Sequence, residues 1–332
     1  MKAAVLKGPR RLVVEEVPEP KPGRHQVLIQ MKYCGICGSD LHYYESKFVP
    51  PGSIMGHEWA GIVVELGAGV TQWAVGDRVW PGVMHSPGWV WKKEYGWDRA
   101  SLSRDSPVKD MGGYGQFAAY HEETLVRIPD EVTDLDACMA DQAATSLSGL
   151  RAAKVKIGES VLVIGAGPIG LWALRLAQIA GARVVCVAEK IEGRAKIAEK
   201  MGADLVVNPS LGDVRPKVAD FLDGVGADAV VECGGTESAF QLAIDLARPG
   251  GRIGAIGLSN DAFSIQTWNL VLKGLEVTGV VELDFPAGME IIRQKKVECR
   301  DFLTEIIPLE QAPEAFETLL HPTDQEKIVI GY

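Results

Sequence analysis

Two hydrophobic rhythms divide the chain. Over residues 1–150 the apolar positions come in short runs broken by turn formers. Residues 27–31 alternate around apolar positions, and residues 59–66 are an apolar, β-rich run closed by Gly67. Residues 78–80 and 117–120 are further short strand candidates. Pro18, Pro20, Pro22 and Gly23, then Pro50, Pro51 and Gly52, punctuate them. Such spacing predicts an irregular β domain with many turns. The rhythm changes near Gly158. Residues 161–164, 183–188, 204–207, 229–232 and 252–256 read as buried strands, and residues 168–180, 193–201 and 237–247 carry helical spacing. Strand and helix in alternation imply a doubly wound parallel sheet with helices on both faces. The alternation fades after about residue 275, and a last strand at 327–330 is expected to return to the first domain. The predicted class is therefore α/β. A β-rich domain spans 1–150 and is completed by 275–332, and a doubly wound domain spans 151–274.

The strand at 161–164 leads into Gly165-Ala166-Gly167-Pro168-Ile169-Gly170, a G-x-G-x-x-G turn placed between strand and helix. Gly165 permits the tight turn, Gly167 lets the backbone approach a pyrophosphate, and Gly170 allows helix to pack on strand. Pro168 and Ile169 open the helix, whose free N–H groups favour phosphate. Glu189 ends the next strand, 19 positions beyond Gly170. A carboxylate there accepts hydrogen bonds from ribose hydroxyls and repels a 2′-phosphate, so NAD is expected over NADP. Lys190 and Arg194 lie nearby and are able to offset that repulsion, which makes NAD a preference. On the bland alternative the glycines merely turn the chain and Glu189 is a solvated charge. The coincidence of strand, turn, helix and acid argues for the dinucleotide.

Composition narrows the partners. The 332 residues are 47% hydrophobic and 23% charged, ordinary for a globular protein, with a formal net charge of −10 and no basic stripe. That field disfavours nucleic acid. The first residues have no secretory pattern and no stretch approaches the ~20 apolar residues of a membrane span, so a cytoplasmic protein without membrane contact is expected. Six cysteines, at 34, 37, 138, 186, 233 and 299, are too sparse for a disulfide framework. Cys186 and Cys233 sit in apolar strands and read as inert buried thiols.

Residues 34–42 read Cys-Gly-Ile-Cys37-Gly-Ser39-Asp40-Leu-His42, and residues 56–58 read Gly-His57-Glu58. Alone, Cys34-x-x-Cys37 suggests a zinc knuckle or a redox pair, but no second such pair and no thioredoxin-like context accompany it. A lone His57 is more often structural than a ligand. Together these residues suit a catalytic zinc, which wants three protein ligands and an open position. Cys37 and His57 supply soft and borderline donors. Glu58, or Asp141 in Ala140-Asp141-Gln142, can complete the set. Asp40 is placed to orient His57. Ser39 lies two residues from Cys37, where its hydroxyl can meet an alcohol substrate, and His42 can carry the proton to solvent.

These stretches resemble the medium-chain dehydrogenase/reductase superfamily, in its zinc alcohol, polyol and threonine dehydrogenase branch. The likeness runs through GICGSDLH at 35–42, GHEWAGIVVELGAGVTQWAVGDRVW at 56–80, VLVIGAGPIG at 161–170 and RPGGRIGAIG at 248–257. It implies a GroES-like catalytic domain joined to a Rossmann domain. It implies Cys37 and His57 as zinc ligands, Glu58 as a near or alternating ligand, and the proton-relay roles of Ser39 and His42. It implies hydride transfer between nicotinamide C4 and the carbinol carbon of an alcohol, or the matching ketone, with zinc as Lewis acid. It also implies a homo-oligomer, dimer or tetramer, joined near 275–281.

Two departures stand out. The branch commonly carries a four-cysteine lobe near 85–115, yet no cysteine lies between 38 and 137, so one catalytic zinc and no structural zinc are expected. Trp80, Trp89, Trp91, Tyr95, Trp97 and Tyr114 occupy that region. They either pack the lobe in place of the metal or wall a substrate, and packing is the simpler reading. The last ligand of the branch is usually a cysteine or a glutamate before proline. Asp141-Gln142 stands there, one methylene shorter, with Cys138 a weaker candidate. Two rival functions remain. One is a zinc-free, NADPH-linked enone or quinone reductase of the same fold, against which Cys37, Asp40 and His57 argue. The other is a non-catalytic dinucleotide-binding protein, against which Ser39 and His42 argue.

Overall fold

A computed structural model of the chain describes residues 1–82, 111–259, 261–280, 283–322 and 324–332. The chain folds as two compact units. One comprises Met1–Ala140, Ile292–His321 and Lys327–Tyr332; the other comprises Asp141–Ile291 and Pro322–Glu326.

The first unit is β-rich, as its turn-broken pattern predicts. Lys2–Gly8 and Arg11–Glu16 form an antiparallel hairpin. A larger sheet centres on Gln26–Gly35, which is flanked along its length by Glu58–Leu66, along its N-terminal half by Phe117–His121 and, at its C-terminal end, by Lys327–Gly331. None of its residues is exposed, and other strands pair along both its edges. The buried Trp59 indole donates to Tyr120 Oη at 3.0 Å, which satisfies the polar tip of the largest side chain in this core. Trp80 and Tyr114 of the aromatic set are also fully buried, in keeping with packing. Trp89, Trp91, Tyr95 and Trp97 lie outside the described residues.

Among the described residues, the second unit carries a sheet of six parallel strands. Their spatial order is Leu205–Val207, Val184–Ala188, Ser160–Ile164, Ala227–Glu232, Ala247–Ala255 and Glu276–Gly279. In chain order this is 3-2-1-4-5-6, the Rossmann arrangement. Ser160–Ile164 is buried at every position because a sheet with helices on both faces leaves a central strand no solvent side. The order reverses between Ser160–Ile164 and Ala227–Glu232, and ligands of such sheets bind at the strand ends beside that reversal.

Periodicity missed the N-terminal hairpin and several helices, Gly38–Glu45 and Ala140–Ala152 among them. Gly38–Glu45 is short and mostly polar, and its apolar residues do not mark one face. Ala140–Ala152 is nearly all small or buried, so it lacks the polar stripe that betrays a surface helix. Among the described residues no helix is long and apolar enough to cross a membrane.

Candidate active site

The site in the first unit is built by strand register. Gly35 pairs with Glu58 on one side and Val329 on the other. Beyond Gly35 the chain turns through Ile36, whose N–H donates to Ile328 O at 3.0 Å. It then enters Gly38–Glu45 with Cys37 as N-cap. Asp40 Oδ2 accepts the Cys37 backbone N–H at 3.0 Å, which closes that helix start. Three chain segments far apart in sequence thus meet at the end of one strand.

Cys37, His57 and Glu58 offer ligand atoms that all lie within 4.8 Å of one another. Asp40 is the hub behind them. It is fully buried, accepts the Tyr114 hydroxyl at 2.6 Å through Oδ2, and faces His57 Nδ1 through Oδ1 at 3.4 Å. Burial alone would raise its carboxyl. The neighbouring His57, Tyr114 hydroxyl and Cys37 N–H outweigh that and hold it below the usual range. For His57, burial disfavours the proton, but the charges of Asp40 and Cys37 win and push it well up. Burial also pushes the Cys37 thiol up, assisted by Glu58 and opposed by His57.

These donors fit a divalent cation. His57 is buried, and neither ring nitrogen makes a hydrogen bond of good geometry among the described residues. With Nδ1 turned to Asp40, Nε2 is left as the donor atom. A carboxylate behind a metal-binding imidazole is the usual device that fixes ring and tautomer. Sulfur, nitrogen and oxygen donors within one small volume match zinc.

Lys327 was not foreseen at this site. Its Nζ lies 2.6 Å from Glu58 Oε2 and donates to Ile36 O at 2.8 Å, with 2% of the lysine side chain and none of the glutamate exposed. A Cβ on Gly35 would stand 2.5 Å from Glu58 Oε2, so glycine is required there for the carboxylate to fit. In sequence, Lys327 reads as a charged strand end. Its burial follows from pairing with residues some 290 positions away, which periodicity does not show.

Ser39 is half-buried and His42 exposed, three positions apart on one helix face. Tyr43 is stacked on Phe48 with centroids 5.7 Å apart, and Phe48 is largely exposed. Asp141 is buried in the first turn of Ala140–Ala152, in the second unit, and is not part of the three-residue cluster. Cys138 is buried, and burial pushes its thiol far up, as it does for Cys34. Among the other thiols, Cys186 is buried and pushed up to about 12 by burial, while Cys233 is half-buried at the rim of a cavity.

That cavity, of about 360 Å³, lies in the second unit at the strand ends. Gly165, Gly167, Glu189 and Arg194 line it; Pro168, Ile169 and Gly170 form the first turn of the helix Pro168–Ile179. Gly165 has φ of +90°, a region that side chains disfavour. A Cβ on Gly170 would lie 1.8 Å from Gly165 O, so only glycine fits. A Cβ on Gly167 would meet only Arg194 Nη1, at 3.6 Å. Protein packing therefore does not require glycine at 167, whereas a close-lying pyrophosphate does. Glu189 is buried and accepts the Ala166 and Ile191 N–H groups at 2.6 and 2.7 Å. The residues present suit a nicotinamide dinucleotide.

Comparison with known proteins gives the same picture. Residues 23–130 match the alcohol dehydrogenase GroES-like domain, and residues 168–293 match the zinc-binding dehydrogenase domain. A sorbitol dehydrogenase of Halalkalibacterium halodurans is 32% identical, covering 96% of this chain and 97% of that one. A sorbitol dehydrogenase of Ovis aries is 31% identical over 95% and 92%. Among solved structures, 2R,3R-butanediol dehydrogenase from Bacillus subtilis superposes with a TM-score of 0.85 at 30% identity, over 100% of this chain and 99% of that one. A Sinorhizobium meliloti structure described as a zinc-binding dehydrogenase bound to NADP gives 0.87 at 27% identity, with coverage of 100% and 99%.

Proposed function

The chain belongs to the zinc-binding alcohol dehydrogenases with a GroES-like domain, and from that premise we propose that it interconverts a secondary alcohol or polyol and its ketone with NAD(H), using one zinc per chain. The observation that carries this reading is the cluster of half-buried Cys37 with buried His57 and Glu58, and Asp40 behind the imidazole. The sorbitol and butanediol dehydrogenases named among its relatives favour a polyol or vicinal diol.

Cys37, His57 and Glu58 would hold the metal, with Asp141 as a further candidate. When bound, zinc supplies Lewis acidity toward the substrate oxygen. Asp40 holds the His57 ring and the Cys37 backbone in place. Ser39, at the start of the same helix, accepts the proton of the substrate hydroxyl while giving up its own toward His42, which is exposed one turn on and passes a proton to solvent. Tyr43 and Phe48 offer apolar surface to the substrate's carbon chain. The Gly165–Gly170 turn seats the pyrophosphate at a helix N-terminus, and Glu189 accepts the ribose hydroxyls.

Elemental analysis of the purified chain should find about one zinc per chain. The Asp141→Ala variant should retain less of it after dialysis, because a carboxylate that helps hold zinc contributes to affinity whether it binds directly or through a neighbouring group, typically by about 10-fold or more. Unchanged zinc retention would remove Asp141 from the site. Glu189→Gln should narrow the preference for NADH over NADPH, measured as the ratio of dissociation constants. An unchanged ratio would take Glu189 out of the ribose site.

Self-association suits the sheet edge at Glu276–Gly279. That strand pairs on one side only among the described residues, and Trp268 and Val271 nearby are 74% and 71% exposed.

A further inference from the structure

Three charged side chains line one end of the dinucleotide cavity: Glu189, Lys190 and Arg194. By composition this end suits either cofactor, since two cations could seat a 2′-phosphate that one carboxylate repels. The geometry is less even-handed. One edge of the Arg194 guanidinium is already engaged by protein groups. Its Nε and Nη2 donate to Gln325 O at 3.1 and 2.7 Å, and Nε lies 3.4 Å from Glu326 Oε1. Only 16% of the arginine side chain and 2% of the glutamate side chain are exposed. Lys190 is exposed, and a hydrated ammonium on a flexible stem makes a loose phosphate ligand.

We infer that Glu326 is a specificity-determining residue: by neutralising Arg194 it denies a 2′-phosphate its firm cationic seat and biases the cavity toward NAD. This rests on the reading of the cavity as the dinucleotide site. If Arg194 swung toward a phosphate it would leave the buried Glu326, and separating the two charges of a buried pair is strongly unfavourable. If Arg194 stays, the pair is nearly neutral and projects little field into the cavity. NADP differs from NAD by a phosphate of about two negative charges, so it feels the loss of Arg194 most. Glu189 repels that phosphate directly; Glu326 acts through Arg194, as a positioning and neutralising residue. Its sequence position, beyond the last helix and far from the glycine turn, gives no hint of the role.

A purely structural Glu326, fastening the segment Pro322–Glu326, makes a different prediction, because its loss would weaken both cofactors alike. The experiment titrates NADH and NADPH into the full-length chain without substrate and reads nicotinamide fluorescence. It compares wild type, Glu326→Gln and the double variant Arg194→Met/Glu326→Gln. Wild type should bind NADH more tightly. Glu326→Gln should lower the ratio of the NADPH to the NADH dissociation constant on the order of tenfold, by tightening NADPH. The double variant exchanges the ion pair for uncharged groups, a change that folded proteins tolerate. Its ratio should return to within about threefold of wild type. A ratio that ignores Glu326→Gln overturns the inference. So does a wild type that prefers NADPH, or a double variant with selective NADPH loss, which would mean that Arg194 already serves the phosphate. The last result decides the matter even where the single variant does not fold. Failure of the wild-type chain to bind either dinucleotide would overturn the reading of the cavity itself.

Discussion

Replacing Cys37 or His57 by alanine is expected to abolish bound zinc and lower turnover of alcohols with NAD by about 10³-fold or more, the scale of a lost Lewis acid. NADH binding should stay within about threefold of wild type. The two halves of this expectation have separate physical grounds. Cys37 and His57 belong to the first unit, whereas the glycine turn, Glu189 and the cavity they line belong to the second. Cys37→Ala is the cleaner test. It leaves Asp40 its contacts with the Cys37 backbone N–H, the Tyr114 hydroxyl and His57. His57→Ala leaves the fully buried Asp40 without its imidazole, so stability must be followed alongside. Zinc content, the turnover number and an NADH titration check the three parts. Turnover that survived either substitution in zinc-free protein would dismiss the metal mechanism and return the zinc-free reductase as the leading reading.

How much of this was legible in sequence depended on the range of the contacts. The Rossmann unit was readable because each of its signals is local: strand, glycine turn, helix and the acid that ends the next strand all fall within 161–189. The observed strands Ser160–Ile164 and Val184–Ala188 and the helix Pro168–Ile179 lie within a residue or so of the expected bounds. Cys37, Asp40, His57 and Glu58 were readable as a set by donor chemistry and by resemblance. Strand register then brings Cys37, His57 and Glu58 together with Asp40 behind them, because Gly35 is paired with Glu58. What escaped was non-local. Lys327 reaches Glu58 through pairing of the first and last parts of the chain, Tyr114 reaches Asp40 across 74 residues, and Glu326 reaches Arg194 across more than a hundred. A charged residue at the start of an apolar strand looks solvated until its neighbours are known.

Removing the ammonium at Lys327 with methionine is expected to destabilise the metal-free chain by about 3–5 kcal/mol, a fall in melting midpoint of roughly 10 °C for a unit of this size. Zinc should restore most of that loss. Methionine keeps the apolar stem and its packing but leaves Glu58 fully buried without the ammonium it faces. Burial opposes the lysine's charge, yet Glu58 and Cys37 hold its pKa above the usual value. A raised folded-state pKa means that the stabilisation is complete at neutral pH, below the ordinary ~10.4, and is lost only as pH rises through the raised value. A zinc ion held by Cys37, His57 and Glu58 supplies the glutamate with another positive neighbour. The variant should therefore gain more from zinc than wild type does, and melting curves with a chelator and with stoichiometric zinc measure the difference. An equal deficit in both conditions would show that Glu58 takes no charge compensation from the metal, and would leave Asp141 as the carboxylate to complete the zinc site.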